Sequence, residues 1–290
     1  MRIFVAYLAN DGGADAVMLA GRLARTVGAE LDIGLIAPGE HQGADPGLAE
    51  VVREQATDWL DDARALVPDV RSEAHVAFHD SIAAGIIAEA QRTGAVLIVV
   101  GGSGGGIVGS HSLGSVVNDL LRSSPLPVVL APRGIRNSAV STTTQITCAL
   151  GTRAGAVGLL NFAITAAQRA RVPLRLISLV ALEQLPTGGA DPDAQARAVA
   201  HVEKVLHTAQ ERLPDGVEVT SAIAHGPTVE DAITQLEWHD GDLLMVGSSR
   251  LAAPARIFLG ATAAKMLRVL SVPVAVLPSP GEMTEGSTDA

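Results

Sequence analysis

One cysteine, two lysines and seven aromatic side chains are all that this 290-residue chain has of those types. The solitary Cys148 excludes an intrachain disulfide and a cysteine zinc cluster. Its apolar setting, "QITCALG", predicts a buried strand in which the thiol acts as a small hydrophobe. Both lysines, Lys204 and Lys265, fall late in the sequence, so the first half has none for covalent catalysis or for gripping a phosphate. Few aromatics leave no platform on which single-stranded bases could stack. A net charge of −10, from 21 basic and 31 acidic residues, excludes the broad basic surface that displaces counterions from nucleic acid. No apolar run reaches the ~18 residues of a membrane span, and "MRIFVAYLAN" lacks a signal-peptide pattern. A soluble, cytoplasmic protein is expected, with neither nucleic acid nor membrane as partner.

What the chain does have is aliphatic bulk, 48% hydrophobic residues, in a length suited to about two domains. Continuous aliphatic runs alternate with amphipathic segments, the pattern of a parallel sheet buried under helices. In the first half the runs are "RIFVAYL", "AELDIGLIA", "RSEAHVAFH", "AVLIVV" and "LPVVLAP". Between them lie helical patterns over "ADAVMLAGRLARTVG", "DPGLAEVVREQATDWLDDARALV", "SIAAGIIAEAQRTG" and "LGSVVNDLLRSS". Asp80 or Ser81 is positioned to cap the third of these, and Gly94 to end it. The second half repeats the order. Gly101 and Gly247, Gly114 and Gly260, and Pro127 and Pro273 each stand 146 residues apart, so the repeating unit is a whole domain. The expected division is a first domain over 1–133, a polar linker over 134–144, a second domain over 145–280 and a disordered tail over 281–290. The fold class is α/β, with parallel open sheets and right-handed crossovers.

One stretch invites a chemical reading. "VVGGSGGGIVGSHSLGS", Val99 to Ser115, leaves a buried strand and enters a short helix. Glycines at such a junction let backbone N–H groups approach an anion, and the helix N-terminus adds positive potential. A plain turn is the alternative. The stretch is not a P-loop, which requires G-x-x-x-x-G-K-[ST]. It follows the fourth strand, so it is not a dinucleotide fingerprint after a first strand either.

Its spacing, Gly101-x2-Gly104-x9-Gly114-Ser115, resembles the G-2X-G-9X-G-[S/T] pattern of the ATP-binding branch of the universal stress protein family. The resemblance covers nearly the whole chain as two copies. It implies Rossmann-like domains, each a five-stranded parallel sheet of order 3-2-1-4-5 with helices on both faces, paired as an internal pseudo-dimer. It also implies ATP, with Mg²⁺, across the strand ends of the first domain. By that resemblance Val100, Gly101 and Gly104 line the phosphate and ribose path, and Gly114, Ser115 and Val116 hold the phosphates. Ala37, ending the second strand, offers backbone contacts to adenine. Asp11, in a turn longer than usual, stands near adenine and ribose, with Asn10 competing for that place. "PLPVVLAP" and "VPVAVLPS" are the strands through which the copies pair, and a homodimer of whole chains is a further possibility. The second copy departs from the pattern: Arg250 replaces the middle glycine, Ala261 replaces the serine, and Gly151 or Thr152 stands where the aspartate belongs. It is therefore expected to be a degenerate partner that does not bind ATP in the usual way.

The implied function is a nucleotide-binding regulator of stress response acting through unidentified protein partners. A nucleotide-free scaffold and a slow ATP-hydrolysing enzyme are the alternatives, since no nucleophile, base and acid fall into a catalytic order. No catalytic residue and no protein metal ligand are nominated. Asp80 is expected to cap a helix, and His111 to be a solvated loop residue. His75 and His79, four apart on a strand, make no metal pair. His201 and His207 are expected on a helix surface, Trp59 and Trp238 in packing, and Asp58, Asp61 and Asp62 on a solvated helix face.

Overall fold

The structure is a computed structural model describing residues 1–39, 46–102, 109–111, 113–150, 156–181, 192–211, 218–248, 257 and 259–278. The first half runs β1 (Arg2–Tyr7), α1 (Asp11–Val27), β2 (Glu30–Pro38), α2 (Pro46–Ala65), β3 (Ser72–His79), α3 (Ile82–Arg92), β4 (Ala95–Gly101), α4 (Ser115–Ser123) and β5 (Val128–Ala131). After a single 3-10 turn at Ile135–Asn137 the second half runs β6 (Gln145–Ala149), α5 (Ala156–Ala170), β7 (Leu174–Ala181), α6 (Pro192–Gln210), β8 (Val219–Gly226), α7 (Val229–Thr234), β9 (Asp242–Gly247), α8 (Ala261–Val269) and β10 (Val274–Leu277). The ten strands of the described residues form one sheet of order β3-β2-β1-β4-β5-β10-β9-β6-β7-β8. Each half is therefore 3-2-1-4-5 and internally parallel. The halves meet where β5 and β10 pair antiparallel, Leu130 opposite Val274 and Val128 opposite Val276. Those are the two closing strands that the family resemblance pairs.

Strand pleating sends alternate side chains to opposite faces, and a core lies on each. Ile3, Val5, Leu31, Ile33, Cys148 and Leu176 belong to the core that includes α1 and α5 residues, while Phe4, Ile98, Leu120, Ile177, Leu244 and Ile257 belong to the other. Among the described residues no helix is long and apolar enough to cross a membrane.

Two local expectations change. The β1–α1 turn is short, not long, because Gly12 and Gly13 lie inside the first helical turn. Asn10 is the N-cap, its side-chain oxygen accepting from Gly13 N at 3.0 Å. Ser81, not Asp80, caps α3, accepting from Ala84 N at 3.4 Å. The tail over 281–290 lies outside the described residues.

The linker is pinned rather than loose. Asp15 of α1, with a side chain 2% exposed, accepts from Gly134 N (2.9 Å), Arg136 N (3.0 Å) and Arg136 Nη1 (3.0 Å). Two helical turns on, the buried Arg22 donates to the carbonyls of Val140 (3.0 Å) and Asp240 (2.6 Å) and to Ser138 Oγ. One carboxylate and one guanidinium thus fix the path between the halves and tie both to α1.

Candidate functional site

In open parallel sheets, ligands bind beyond the carboxyl ends of the strands. The first half brings together there the end of β1, the first turn of α1, the end of β4 and the loop that enters α4. Val100 is buried in β4, and Gly101 ends that strand. A Cβ on Gly101 would stand 1.8 Å from the carbonyl oxygen of Gly12, and one on Gly12 would stand 1.8 Å from that of Gly102. Two backbones touch here without side chains between them, which only glycine allows. The equivalent Gly247 is less constrained, since its Cβ would meet Leu159 at an ordinary 3.6 Å.

Gly114 is the N-cap of α4 with no side-chain cap, so the first amides of the helix stay open to an incoming acceptor. Ser115 is exposed and Val116 half-buried in that first turn. Asn118, which the sequence reading passed over, donates from Nδ2 to the carbonyl of Leu113 at 3.0 Å and fixes the entry to the helix. At α8 the same places hold Ala261 and Ala264, so hydroxyl and clamp are both missing. Gly104 and, in the second half, Gly151, Thr152 and Arg250 lie outside the described residues.

The other nominated residues are placed as follows. Ala37 is buried near the end of β2, opposite Phe78 of β3. Asp11 sits in the first turn of α1 with a side chain 81% exposed, and its carboxylate meets Arg136 Nη2 at 2.7 Å. A small recess at the end of β4 is lined by Val100, Gly101, Gly102, His111, Leu113 and Leu130, among others. His111 is not a solvated loop residue. Its Nε2 donates to the Val272 carbonyl across the junction of the halves at 2.9 Å, and burial pushes its pKa down to about 4. The ring is therefore neutral at ordinary pH.

A separate charged cluster lies under α3, among Asp32 of β2, His75 of β3 and Glu89. His75 Nδ1 is 3.1 Å from Asp32 Oδ1 and its Nε2 is 2.9 Å from Glu89 Oε2. The hydrogen bond to Asp32 raises the His75 pKa, against an opposing effect of burial, and Glu89 adds to the rise. Burial pushes the Asp32 carboxyl up, but hydrogen bonds from His75 and Thr93 outweigh it and hold the group below its usual range. Arg92 on Glu89 at 2.7 Å completes the cluster. Among the described residues no group of three His, Cys, Asp or Glu side chains is arranged to hold a metal ion. In the second half the polar group on the matching face is Arg175. It donates to Thr147 Oγ1 (3.0 Å) and the Glu237 carbonyl (2.7 Å) and stacks over Trp238 at 4.7 Å.

Comparison with known proteins agrees with the repeat. The sequence profile of the universal stress protein family matches twice, over residues 1–132 and 143–278. Universal stress protein Rv2319c of Mycobacterium tuberculosis is 28% identical over 298 residues, spanning 96% of this chain and 100% of that protein. Universal stress protein Mb2346c of Mycobacterium bovis matches to the same extent. A crystal structure of a universal stress protein from Archaeoglobus fulgidus superposes with a TM-score of 0.70 at 18% identity, covering 95% of this chain and 98% of that one. A putative universal stress protein from Pseudomonas aeruginosa gives 0.58 at 18% identity, covering 96% and 93%. With both halves matched by the profile, joined in one sheet and shared with relatives over their full length, this chain belongs to the universal stress protein family, as a tandem of two such domains.

Proposed function

We propose that the first half binds ATP at the carboxyl ends of β1 and β4, and that the chain is a cytoplasmic, nucleotide-responsive regulator of stress response. The observation that supports this best is the contrast between two helix starts in one chain. Both starts have an uncapped glycine, Gly114 and Gly260, but the α4 start adds the exposed Ser115 hydroxyl and the Asn118 clamp where the α8 start has Ala261 and Ala264. A helix N-terminus with a free hydroxyl suits phosphate oxygens, and the loss of both polar groups suits a half that no longer takes them.

Magnesium favours oxygen ligands, keeps several waters and is usually shared with substrate phosphates. Among the described residues the Ser115 hydroxyl fits that role, while the Asp11 carboxylate is engaged by Arg136. Mg²⁺ would thus be carried mainly by the nucleotide itself. Asn10 caps α1, which leaves the exposed Asp11, paired with Arg136, and backbone groups near Ala37 for the ribose and adenine side of the site.

The contact between Gly101 and Gly12 favours one rival, a nucleotide-free scaffold, because packing alone requires that glycine. Calorimetric titration of ATP into the full chain separates the two readings. Binding that is lost in Gly114→Val supports the ATP site. Absence of binding by the unaltered protein at millimolar ATP ends that reading and leaves the scaffold. Mass spectrometry of nucleotide carried through purification gives an independent readout.

A further inference from the structure

His111 has an equivalent in the second half, Ile257, at the same 146-residue offset. The two residues face each other's domain across the junction, and they solve the same packing problem differently. Each half turns from its short helix into its closing strand through a segment that the other half's loop covers. In the first half the turn satisfies itself. Ser124 Oγ donates to the Leu126 carbonyl at 2.8 Å and accepts from Leu126 N at 3.1 Å. The residue covering it, Ile257, is fully buried and contributes only its backbone N–H, to the Ser124 carbonyl at 3.1 Å. In the second half Leu270 replaces that serine, so the hydroxyl that bonds the matching carbonyl in the first half is absent at this place. The missing donor comes from the other half, as His111 Nε2–H at 2.9 Å.

The bond reaches from the loop three residues before Gly114. The same arm of the loop is held at two neighbouring points, where Gly109 N donates to the Arg133 carbonyl (2.7 Å) and Arg133 N donates to the Ser110 carbonyl (2.9 Å). Gly109 has φ +84°, and a Cβ there would come within 3.1 Å of Ser271 Cβ, so the arm lies directly on the second half. Because Val272 O can only accept, Nε2 carries the imidazole proton and Nδ1 keeps its lone pair. Nδ1 is buried without a hydrogen-bond partner among the described residues, so the ring's fixed bond is the one that crosses the junction.

We infer that His111 is a positioning residue, a latch through which the second half holds the Gly109–His111 arm that leads to Gly114. The degenerate half then has a task that needs no ligand of its own. The inference rests on the ATP reading for its effect on affinity but not for the latch itself.

The test uses the full chain with His111→Ile, which copies the second half, His111→Gln, which keeps a donor, and Leu270→Ser, which copies the first. For His111→Ile, ATP affinity should fall about fivefold and amide exchange over residues 109–116 should rise by a similar factor, the worth of one hydrogen bond. Gln at this position should restore both. Leu270→Ser should lower the melting temperature less in the His111→Ile background than in the unaltered protein, because the new hydroxyl takes the vacated carbonyl. It should not restore loop protection or affinity. Unchanged exchange in His111→Ile, or an equal cost of Leu270→Ser in both backgrounds, overturns the latch. Should the unaltered protein fail to bind ATP, the ATP reading falls while exchange and the Leu270 comparison still decide the latch.

Discussion

Arg22 is the side chain whose removal should most disturb the relation between the two halves. Its side chain is 4% exposed, and the guanidinium donates to the Val140 carbonyl, the Asp240 carbonyl and Ser138 Oγ. Arg22→Met keeps the volume of the stem and leaves those three acceptors without their donor. A buried acceptor left unsatisfied costs about 1–3 kcal/mol, and these three fall at the low end because Ser138 and Val140 are half-buried, Asp240 is exposed and Ser138 Oγ still accepts from Val140 N. Removing a buried charge returns part of that as relief from desolvation. The Asp240 carboxylate, 54% exposed, turns to water and adds little. A net loss of about 2 kcal/mol is expected, which for a large cooperative unit lowers the melting temperature by about 4–8 °C. Calorimetry measures the shift, and limited proteolysis across residues 138–144 should speed up in parallel. Arg25→Met on the same helix is the control, since its bond to Asp69 at 2.6 Å is on the surface and screened by water. A shift for Arg22→Met no larger than the control's, or a linker no more sensitive to protease, would show that Arg22 does not fix the linker.

The Asp32–His75–Glu89 cluster predicts an alkaline loss of stability. The folded His75 pKa is raised, so its stabilisation is full below the unfolded value of about 6.5 and disappears as pH rises through the folded value. Thermal midpoints between pH 6.5 and 9 should fall more steeply for the unaltered protein than for His75→Gln, and parallel slopes would refute the assignment. His111 tilts the other way, because its folded pKa lies at about 4. Its neutral form is stabilising above the unfolded value, and that contribution falls away as pH drops from about 6.5 towards 4, a slope that His111→Gln should remove. Gly101→Ala brings a methyl to within 1.8 Å of the Gly12 carbonyl oxygen and forces β4 and α1 apart. It should lower stability by at least about 1–3 kcal/mol, the usual cost of overpacking, whereas Gly247→Ala should be near neutral by the same denaturation assay.

Element order and the doubled architecture were legible because buried strands and amphipathic helices imprint their periods on local sequence. Three features were not. Gly12 and Gly13 look like turn residues, but the backbone at the end of β4 leaves no room for a Cβ on Gly12, and the Leu8 carbonyl leaves none on Gly13. Asp15 and Arg22 pass for ordinary helix charges, although their seven-residue spacing puts both on the apolar stripe with Leu19, a signal that pointed to burial. His111 looks solvated until it is set beside Ile257, where an aliphatic residue at the same offset marks the position as covered.

The antiparallel joint of β5 with β10 turns the second half upside down relative to the first. Since strands are parallel within each half, the two sets of carboxyl ends open on opposite rims of a single sheet. A molecule bound at one rim cannot touch the other, and among the described residues the opposite half reaches the first rim through the α8–β10 turn. Two separate identical chains joined through the same edge would carry equal rims and would come apart on dilution. Covalent fusion makes the joint independent of concentration and permits the rims to be chemically unlike, so the molecule has a front and a back.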